Sequence, residues 1–173
     1  MTTSPRIFGI AGWKNSGKTG LAVRLVKEFT RRGYRISTIK HAHHDFDIDK
    51  VGADSYRHRE AGAHEVVIVS GTRYAIMHEL RGAPEPSFDE ILARIGPCDL
   101  VLIEGYKHEP VPKIEARRQA ANNREPLAST DPHIRAIAAD HAVTDTDLPV
   151  FDLDDTAAIA DFIAEVTQLP PKN

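Results

Sequence analysis

The sequence has little of what would tie it to an oxidising compartment, a membrane or nucleic acid. Its single cysteine, Cys98, has no second cysteine with which to form an internal disulfide. The longest apolar runs, such as residues 100–103, are far shorter than the roughly 20 residues that cross a bilayer. With 22 Lys and Arg against 25 Asp and Glu, the net charge is −3, so the broad positive field of a general nucleic-acid binder is missing. We therefore expect no membrane and no nucleic-acid partner, and only local anion sites.

Short apolar segments alternate with helical patterns along the chain. A length of 173 residues fits one domain of ordinary size, so we expect a single nucleotide-binding domain over residues 1–173. The alternation is typical of a three-layer α/β fold with a mostly parallel sheet. Strands are predicted at residues 6–11, 35–39, 65–70, 72–78, 99–103, 112–115 and 134–139. Helices are predicted from the glycine-rich loop to Gly33, at residues 54–62 and 88–94, and from Asp154 or Asp155 to Pro170.

A glycine-rich loop between the first strand and the first helix carries the strongest functional signal. Residues 12–19, Gly-Trp-Lys-Asn-Ser-Gly-Lys-Thr, match G-x-x-x-x-G-K-[ST], in which backbone N–H groups at a helix N terminus surround phosphates. Lys18 is predicted to reach the β- and γ-phosphates and to act in catalysis, and Thr19 to bind Mg²⁺ through its hydroxyl. The predicted nucleotide-binding residues are Gly12, Asn15, Ser16, Gly17, Lys18, Thr19 and Gly20. A loop this early leaves no room for a signal peptide, so we expect a cytoplasmic protein.

A second acidic motif follows an apolar strand, as in other phosphate-loop proteins. Glu104 ends the run Asp-Leu-Val-Leu-Ile and is followed by Gly105. We predict that Glu104 binds Mg²⁺, most simply through a water. Two other uses stay open, because a carboxylate at this place could activate a water for hydrolysis or could simply be solvated. Asp99 opens the same strand at the opposite end and receives no chemical role.

A polar segment dense in His and Asp follows the second predicted strand. Three His and three Asp lie within residues 40–49, at the sheet edge where open α/β proteins bind ligands. Three interpretations stay open: a switch-like loop beside a triphosphate, a solvated surface loop, and a transition-metal site built from imidazoles. In the first, Asp47 reaches Mg²⁺, and Lys40 or His41 faces anionic oxygens.

Guanine recognition usually rests on Asn-Lys-x-Asp, and that motif is missing. Asp140 is the predicted substitute, because a carboxylate at the end of the strand over residues 134–139 could accept the two N–H donors of the base edge. The alternative is that Asp140 caps a loop or is solvated.

Several longer motifs occur together in this chain. They are Gly-Lys-Thr at 17–19, Ile-Lys-His-Ala-His-His-Asp-Phe-Asp-Ile-Asp-Lys at 39–50, Gly52, Asp-Ser-Tyr at 54–56, Ile-Glu-Gly-Tyr-Lys-His-Glu at 103–109, and Lys-Ile at 113–114. In them, and over nearly its full length, the chain resembles the molybdopterin-guanine dinucleotide biosynthesis adaptor proteins (MobB). It departs from the family at Ala53, where members often carry Lys, and at Ala139, where they tend to carry Ser.

The resemblance implies a phosphate-loop fold and a GTP-binding, weakly hydrolysing adaptor that uses Mg²⁺. Its partners would be molybdopterin and the guanylyltransferase that attaches GMP to the molybdenum-bound form. The resemblance also implies a homodimer, with a protruding β-hairpin at about residues 66–78 reaching the other copy. Residues that would respond to nucleotide or face the pterin are Lys40, His41, His43, His44, Asp45 and Lys107.

Two alternatives to the adaptor remain open. A small-molecule kinase would need an arginine-bearing lid, for which residues 117–124 are the candidate segment. A nucleotide-dependent metal-insertion chaperone would use His41, His43, His44 and His108 as ligands.

Overall fold

The computed structural model describes residues 5–42, 46–106 and 108–172. His43, His44, Asp45 and Lys107, all singled out in the sequence, lie outside the described residues. A single domain was expected, and the chain groups into two compact units, Met1–His41 with Ile95–Asn173 and Ala42–Arg94. We describe each unit by itself.

Within the described ranges, eight strands and four helices follow one another along the chain. The strands are β1 Arg6–Ala11, β2 Ile36–Lys40, β3 Glu65–Val69, β4 Tyr74–His78, β5 Leu100–Glu104, β6 Lys113–Arg117, β7 Ile134–Ala139 and β8 Val150–Asp152. The helices are α1 Lys18–Arg31, α2 Asp54–Glu60, α3 Phe88–Leu92 and α4 Thr156–Val166, with a short 3₁₀ turn at Leu127–Ser129. The six strands of the first unit form one sheet in the order β2-β5-β1-β6-β7-β8, and every neighbouring pair is parallel.

The core of the first unit lies between the sheet and two helices. Leu21, Leu25 and Phe29 of α1 and Ile159 and Ile163 of α4 are fully buried at helical spacing. They pack in one cluster with alternate residues of the central strands, which places both helices on the same face of the sheet. Because the strands of a parallel sheet end together at one edge, this packing fixes where the loops after β1, β2, β5, β6 and β7 meet.

The ends of these two helices follow from local sequence. α1 stops where Gly33 adopts a left-handed conformation with φ 86°, as its position after Arg31 and Arg32 predicts. At the start of α4, the Asp155 carboxylate accepts a hydrogen bond from the Ala158 amide at 3.0 Å.

The second unit contains α2, α3 and an antiparallel hairpin of β3 and β4. Ser87 and Glu90 form a reciprocal capping box that begins α3. In the hairpin, Ser70 Oγ lies within hydrogen-bond distance of the Arg73 backbone and so holds the turn. The predicted fold class, α/β with a mostly parallel sheet and a separate hairpin, is confirmed.

Across the described residues, we find no helix that is both long enough and apolar enough to cross a membrane.

Candidate nucleotide-binding site

The loop between β1 and α1 has a backbone that depends on its glycines. Gly12 and Gly17 have φ of 143° and 95°, and Asn15, one of the few residue types that tolerate this region, has φ of 65°. A Cβ on Gly12 would lie 2.6 Å from the Ala116 carbonyl oxygen, so a side chain there would collide with β6. The Ser16 side chain is buried under the loop. The motif therefore forms a tight turn held against the sheet.

This turn leaves the N terminus of α1 open. The Leu21 amide is bonded to the Gly17 carbonyl at 2.9 Å, so the amides of Lys18, Thr19 and Gly20 precede the helical hydrogen-bond ladder. No described side chain caps Gly17, and the first turn contains no acidic residue. Unsatisfied amides at the positive end of a helix dipole form an anion site.

Lys18 folds back across the loop that precedes it. Its Nζ donates a hydrogen bond to the Trp13 carbonyl oxygen at 2.7 Å. The ammonium group is thereby held against the backbone of the turn that the motif forms.

Thr19 and Glu104, two of the three groups predicted to hold Mg²⁺, are in direct contact. The Thr19 hydroxyl donates a hydrogen bond to Glu104 Oε1 at 2.8 Å. Lys40 stands opposite Glu104 in the pairing of β2 with β5, and its Nζ lies 3.8 Å from the same oxygen. The Glu104 side chain is only 14% exposed, so these two contacts take the place of much of its hydration. A hydroxyl and a carboxylate are the hard oxygen ligands that suit Mg²⁺.

Gly105 brings the loops after β2 and β5 together. It has φ 101°, and a Cβ there would lie 2.9 Å from the His41 carbonyl oxygen. The His41 amide bonds the Glu104 carbonyl at 2.9 Å, and the His41 and Tyr106 rings lie 4.8 Å apart. His41 is therefore packed beside Glu104, which explains why the acidic motif needs a glycine after its carboxylate.

Asp140 ties together the loops that follow β6 and β7. Its Oδ1 accepts hydrogen bonds from the Gln119 amide and from His141 Nδ1, both at 2.8 Å. The bond from His141, followed by that from the Gln119 amide, holds the pKa of Asp140 below its ordinary value. The carboxylate is therefore ionised and engaged in capping a loop. Guanine recognition by Asp140 stays a prediction.

Asp47 lies in the second unit, where it is bonded to Arg59 of the same unit. Its carboxylate accepts two hydrogen bonds from Arg59 Nη2, at 3.0 and 3.1 Å. A backbone bond from Asp49, followed by the bonds from Arg59, lowers its pKa. Mg²⁺ binding by Asp47 stays a prediction. Within the described ranges, His, Cys, Asp and Glu do not gather in any group of three or more that could hold a metal ion.

The sequence did not reveal a pocket of about 190 Å³ beside the loop. Trp13, Arg117, Glu125, His141 and Asp145 are among the residues that line it. Trp13 Nε1 donates to the Glu125 carbonyl at 2.7 Å, and Arg117 Nη1 bonds both carboxylate oxygens of Asp145 at 2.8 and 3.0 Å. No local pattern indicates this pocket, because its lining comes from β6 and from separate segments that follow β1, β6 and β7.

The sheet order and the loop that opens onto α1 define a protein of the phosphate-loop α/β class. A family model described as molybdopterin guanine dinucleotide synthesis protein B, MobB, matches residues 7–140. The chain belongs to this family.

Known relatives agree with this assignment. A molybdopterin-guanine dinucleotide biosynthesis adapter protein of Escherichia coli (strain K12) is 37% identical over 164 residues, covering 94% of this chain and 93% of the relative. A protein of the same name from Haemophilus influenzae is 39% identical over 165 residues, covering 91% and 86%. The crystal structure of a MobB protein homolog from Bacillus stearothermophilus matches with a TM-score of 0.70 and 26% identity, covering 95% of this chain and 99% of that one.

Proposed function

We propose that this protein is an adaptor in the synthesis of molybdopterin-guanine dinucleotide and that it binds GTP with Mg²⁺ at the phosphate loop. The observation that carries the nucleotide site is the contact of Thr19 with Glu104 at the open N terminus of α1, where Lys18 is bonded to the loop. The pathway is supported by the family and by the names of the relatives from Escherichia coli and Haemophilus influenzae.

In this proposal the triphosphate lies against the amides of Lys18, Thr19 and Gly20, with the Lys18 ammonium moving from the Trp13 carbonyl to the β- and γ-phosphates. Bound Mg²⁺ neutralises charge on the phosphate oxygens. Thr19 supplies its hydroxyl to the ion, and Glu104 supplies its carboxylate directly or through a water. The Lys40 ammonium lies 3.8 Å from Glu104 Oε1 in this structure, and in the proposal it interacts with a phosphate oxygen in place of that carboxylate.

Hydrolysis of GTP is proposed to be weak and to reset the adaptor. Nucleotide occupancy would then govern how the guanylyltransferase or the pterin docks, through the segment that follows β2. A direct check is a pull-down with the purified guanylyltransferase, with and without a non-hydrolysable GTP analogue. Equal recovery in both conditions would remove nucleotide control from the proposal.

The hairpin is proposed to pair with a second copy of the chain. Pairing of Val67 with Ile76 and of Val69 with Tyr74 places these four apolar side chains on one face, and all four are more than half exposed. An isolated two-stranded hairpin is only marginally stable in water, and an exposed apolar patch favours burial against a partner. We expect Val69→Lys to convert a dimer to a monomer in light scattering at micromolar concentration. The matched control, Arg73→Lys in the turn, should stay dimeric.

Nucleotide binding is tested by calorimetry and thermal unfolding with GTP, GDP, ATP and ADP in Mg²⁺. A ligand that binds only the folded state raises its apparent stability, by about 2.7 kcal/mol at 100 times its Kd. We expect the largest shift with GTP. Lys18→Ala should remove the shift and leave the unliganded unfolding temperature unchanged. Lys27→Ala, an exposed lysine further along α1, should behave as the wild type. Retained GTP binding in Lys18→Ala would refute the site.

A further inference from the structure

Arg118, which follows β6, lies against the phosphate loop in a way that the motif does not indicate. A Cβ built on Gly17 would lie 2.9 Å from Arg118 Nε and 3.3 Å from its Cζ. The guanidinium is therefore in contact with the backbone of the residue that caps α1. Gly17 is favoured as glycine by its left-handed φ of 95°, and a side chain there would also displace this guanidinium.

The position of Arg118 is fixed by the sheet. β6 pairs with β1 from Gly9↔Lys113 to Ala11↔Glu115, so the residues just beyond β6 emerge beside the loop just beyond β1. The Ala121 amide bonds the Arg118 carbonyl at 3.1 Å and turns the chain directly after it. The central strand and the turn therefore set the backbone at Arg118 without help from a ligand.

Within the part of the chain that the structure describes, Arg117 is paired with carboxylates, and Arg118 is not. Arg117 bonds Glu115 and Asp145. For Arg118, the described residues offer no acceptor within hydrogen-bond distance and no carboxylate within ion-pair distance. It is partly buried, and it sits at the positive end of a helix dipole, where an anion is stabilised and a cation is destabilised. An arginine in this position is favourable once an anion lies between it and the helix.

We infer that Arg118 is a phosphate-binding residue of the nucleotide site, acting from the β6 side while Lys18 acts from the loop. This inference rests on the proposed function, because it assumes that a nucleotide occupies the loop. An Arg guanidinium binds phosphate through paired N–H donors, which a lysine cannot fully reproduce. The guanidinium would neutralise charge on the phosphate chain, so its contribution would not depend on which base is attached.

The test is calorimetric titration of wild type, Arg118→Ala and Arg118→Lys with GTP, ATP and inorganic tripolyphosphate in Mg²⁺. A charged hydrogen bond at a binding site corresponds to a loss of about 10- to 100-fold in affinity when it is removed. We expect Arg118→Ala to lose affinity for all three ligands by a similar factor in this range, and Arg118→Lys to recover part of it. Arg135→Ala, which removes an exposed arginine from β7, should bind as the wild type.

Thermal unfolding without ligand distinguishes a merely structural role of Arg118 from a role in binding. Because Arg118 destabilises the end of α1 when no anion is present, Arg118→Ala should unfold at the same temperature as the wild type or higher. A lower unliganded unfolding temperature, unchanged affinity, or a loss confined to GTP would overturn the inference. If wild type itself bound none of the three ligands, the proposed function would fail first.

Discussion

The charges within and around β6 and those around the phosphate loop lie in the same unit but differ in how they are paired. Lys113 is 2% exposed, and its Nζ bonds Asp131 at 2.8 Å and the Glu109 carbonyl at 2.7 Å. Glu115 is 1% exposed and accepts from Arg117 and from the amides of Leu127 and Ala128. These buried charges are satisfied by the protein alone.

At the phosphate loop the pairing is incomplete. Lys40 is 64% exposed and reaches Glu104 only at 3.8 Å, and Arg118 has no acceptor among the described residues. Burying a charge is favourable only when it is paired, so a fully paired set stabilises the fold whether or not a ligand is present. Charged side chains that are left partly unpaired are stabilised by a ligand that pairs with them. The two groups therefore predict opposite responses to mutation, one in stability and one in binding.

The largest effect is expected from removing the carboxylate at the centre of the paired set. Glu115→Ala leaves the amides of Leu127 and Ala128 without their acceptor and removes one of the two carboxylates that Arg117 binds. Breaking a buried ion pair typically costs about 3–5 kcal/mol. We expect a loss of this size in the free energy of unfolding, measured by urea denaturation. Glu115→Gln keeps one acceptor and should lose less.

The matched control for that change is Glu125→Ala, an exposed carboxylate in the loop after β6. Its free energy of unfolding should stay within about 0.5 kcal/mol of the wild type, as surface substitutions usually do. A similar loss in both variants would mean that the buried pairing around β6 has no special role in stability.

This contrast also marks the limit of prediction from the sequence. The loop over residues 12–19, the bounds of β1 and β7 and the hairpin could be predicted, because each rests on a local pattern of glycines or apolar alternation. Buried Lys113 and Glu115 could not, because charged residues at alternating positions indicate a solvent-facing strand side. Several of their partners come from the segment between β6 and β7, namely Asp131 for Lys113 and the amides of Leu127 and Ala128 for Glu115.

Short or distant features were missed for related reasons. β8 covers only Val150–Asp152, too few residues to show a period, and Val150 is 44% exposed. Arg118 was considered only as part of a lid segment, since nothing local shows that a residue more than a hundred positions later touches Gly17. Asp99, which received no chemical role, bonds the Arg35 amide and Lys172 at the far end of β5.

An intermediate effect, on binding and not on stability, is expected at Glu104. Glu104→Gln keeps an oxygen that can accept from Thr19 but removes the charge that would attract Mg²⁺. We expect the gain in GTP affinity on adding Mg²⁺ to fall by about 10-fold or more, as losses in metal sites commonly do. The affinity measured in chelator should change little.

The comparison for this variant is the free energy of unfolding without nucleotide, which should lie within about 1 kcal/mol of the wild type, since only one partly paired charge is changed. Equal Mg²⁺ dependence in wild type and Glu104→Gln would show that this carboxylate does not serve the ion. If Glu104→Gln lost as much free energy of unfolding as Glu115→Ala, the charges at the phosphate loop and those around β6 would not differ in their contribution to stability.

The smallest effect, a change in the free energy of unfolding, is expected from mutating Glu28 of α1, which is paired with two arginines. Glu28 accepts hydrogen bonds from Arg31 and then from Arg32, which together lower its pKa to about 2. A carboxyl whose pKa is lower in the folded state contributes stability above its unfolded value, about 4.3, and loses it as the pH falls toward the folded value. The stabilisation from Glu28 should therefore disappear between about pH 4.5 and pH 2.

Glu28→Gln removes this titration, so its free energy of unfolding should depend less steeply on pH in that window than that of the wild type. The difference between the two at pH 7 should be modest, about 1 kcal/mol, because the pair lies near the surface, where solvent screens it. GTP affinity should be the same in both proteins, since Glu28 is in the last part of α1 and the phosphates are proposed to lie at its first turn. Parallel pH curves for the two proteins would contradict the pairing, and weaker GTP binding would contradict the separation of structural charges from binding charges.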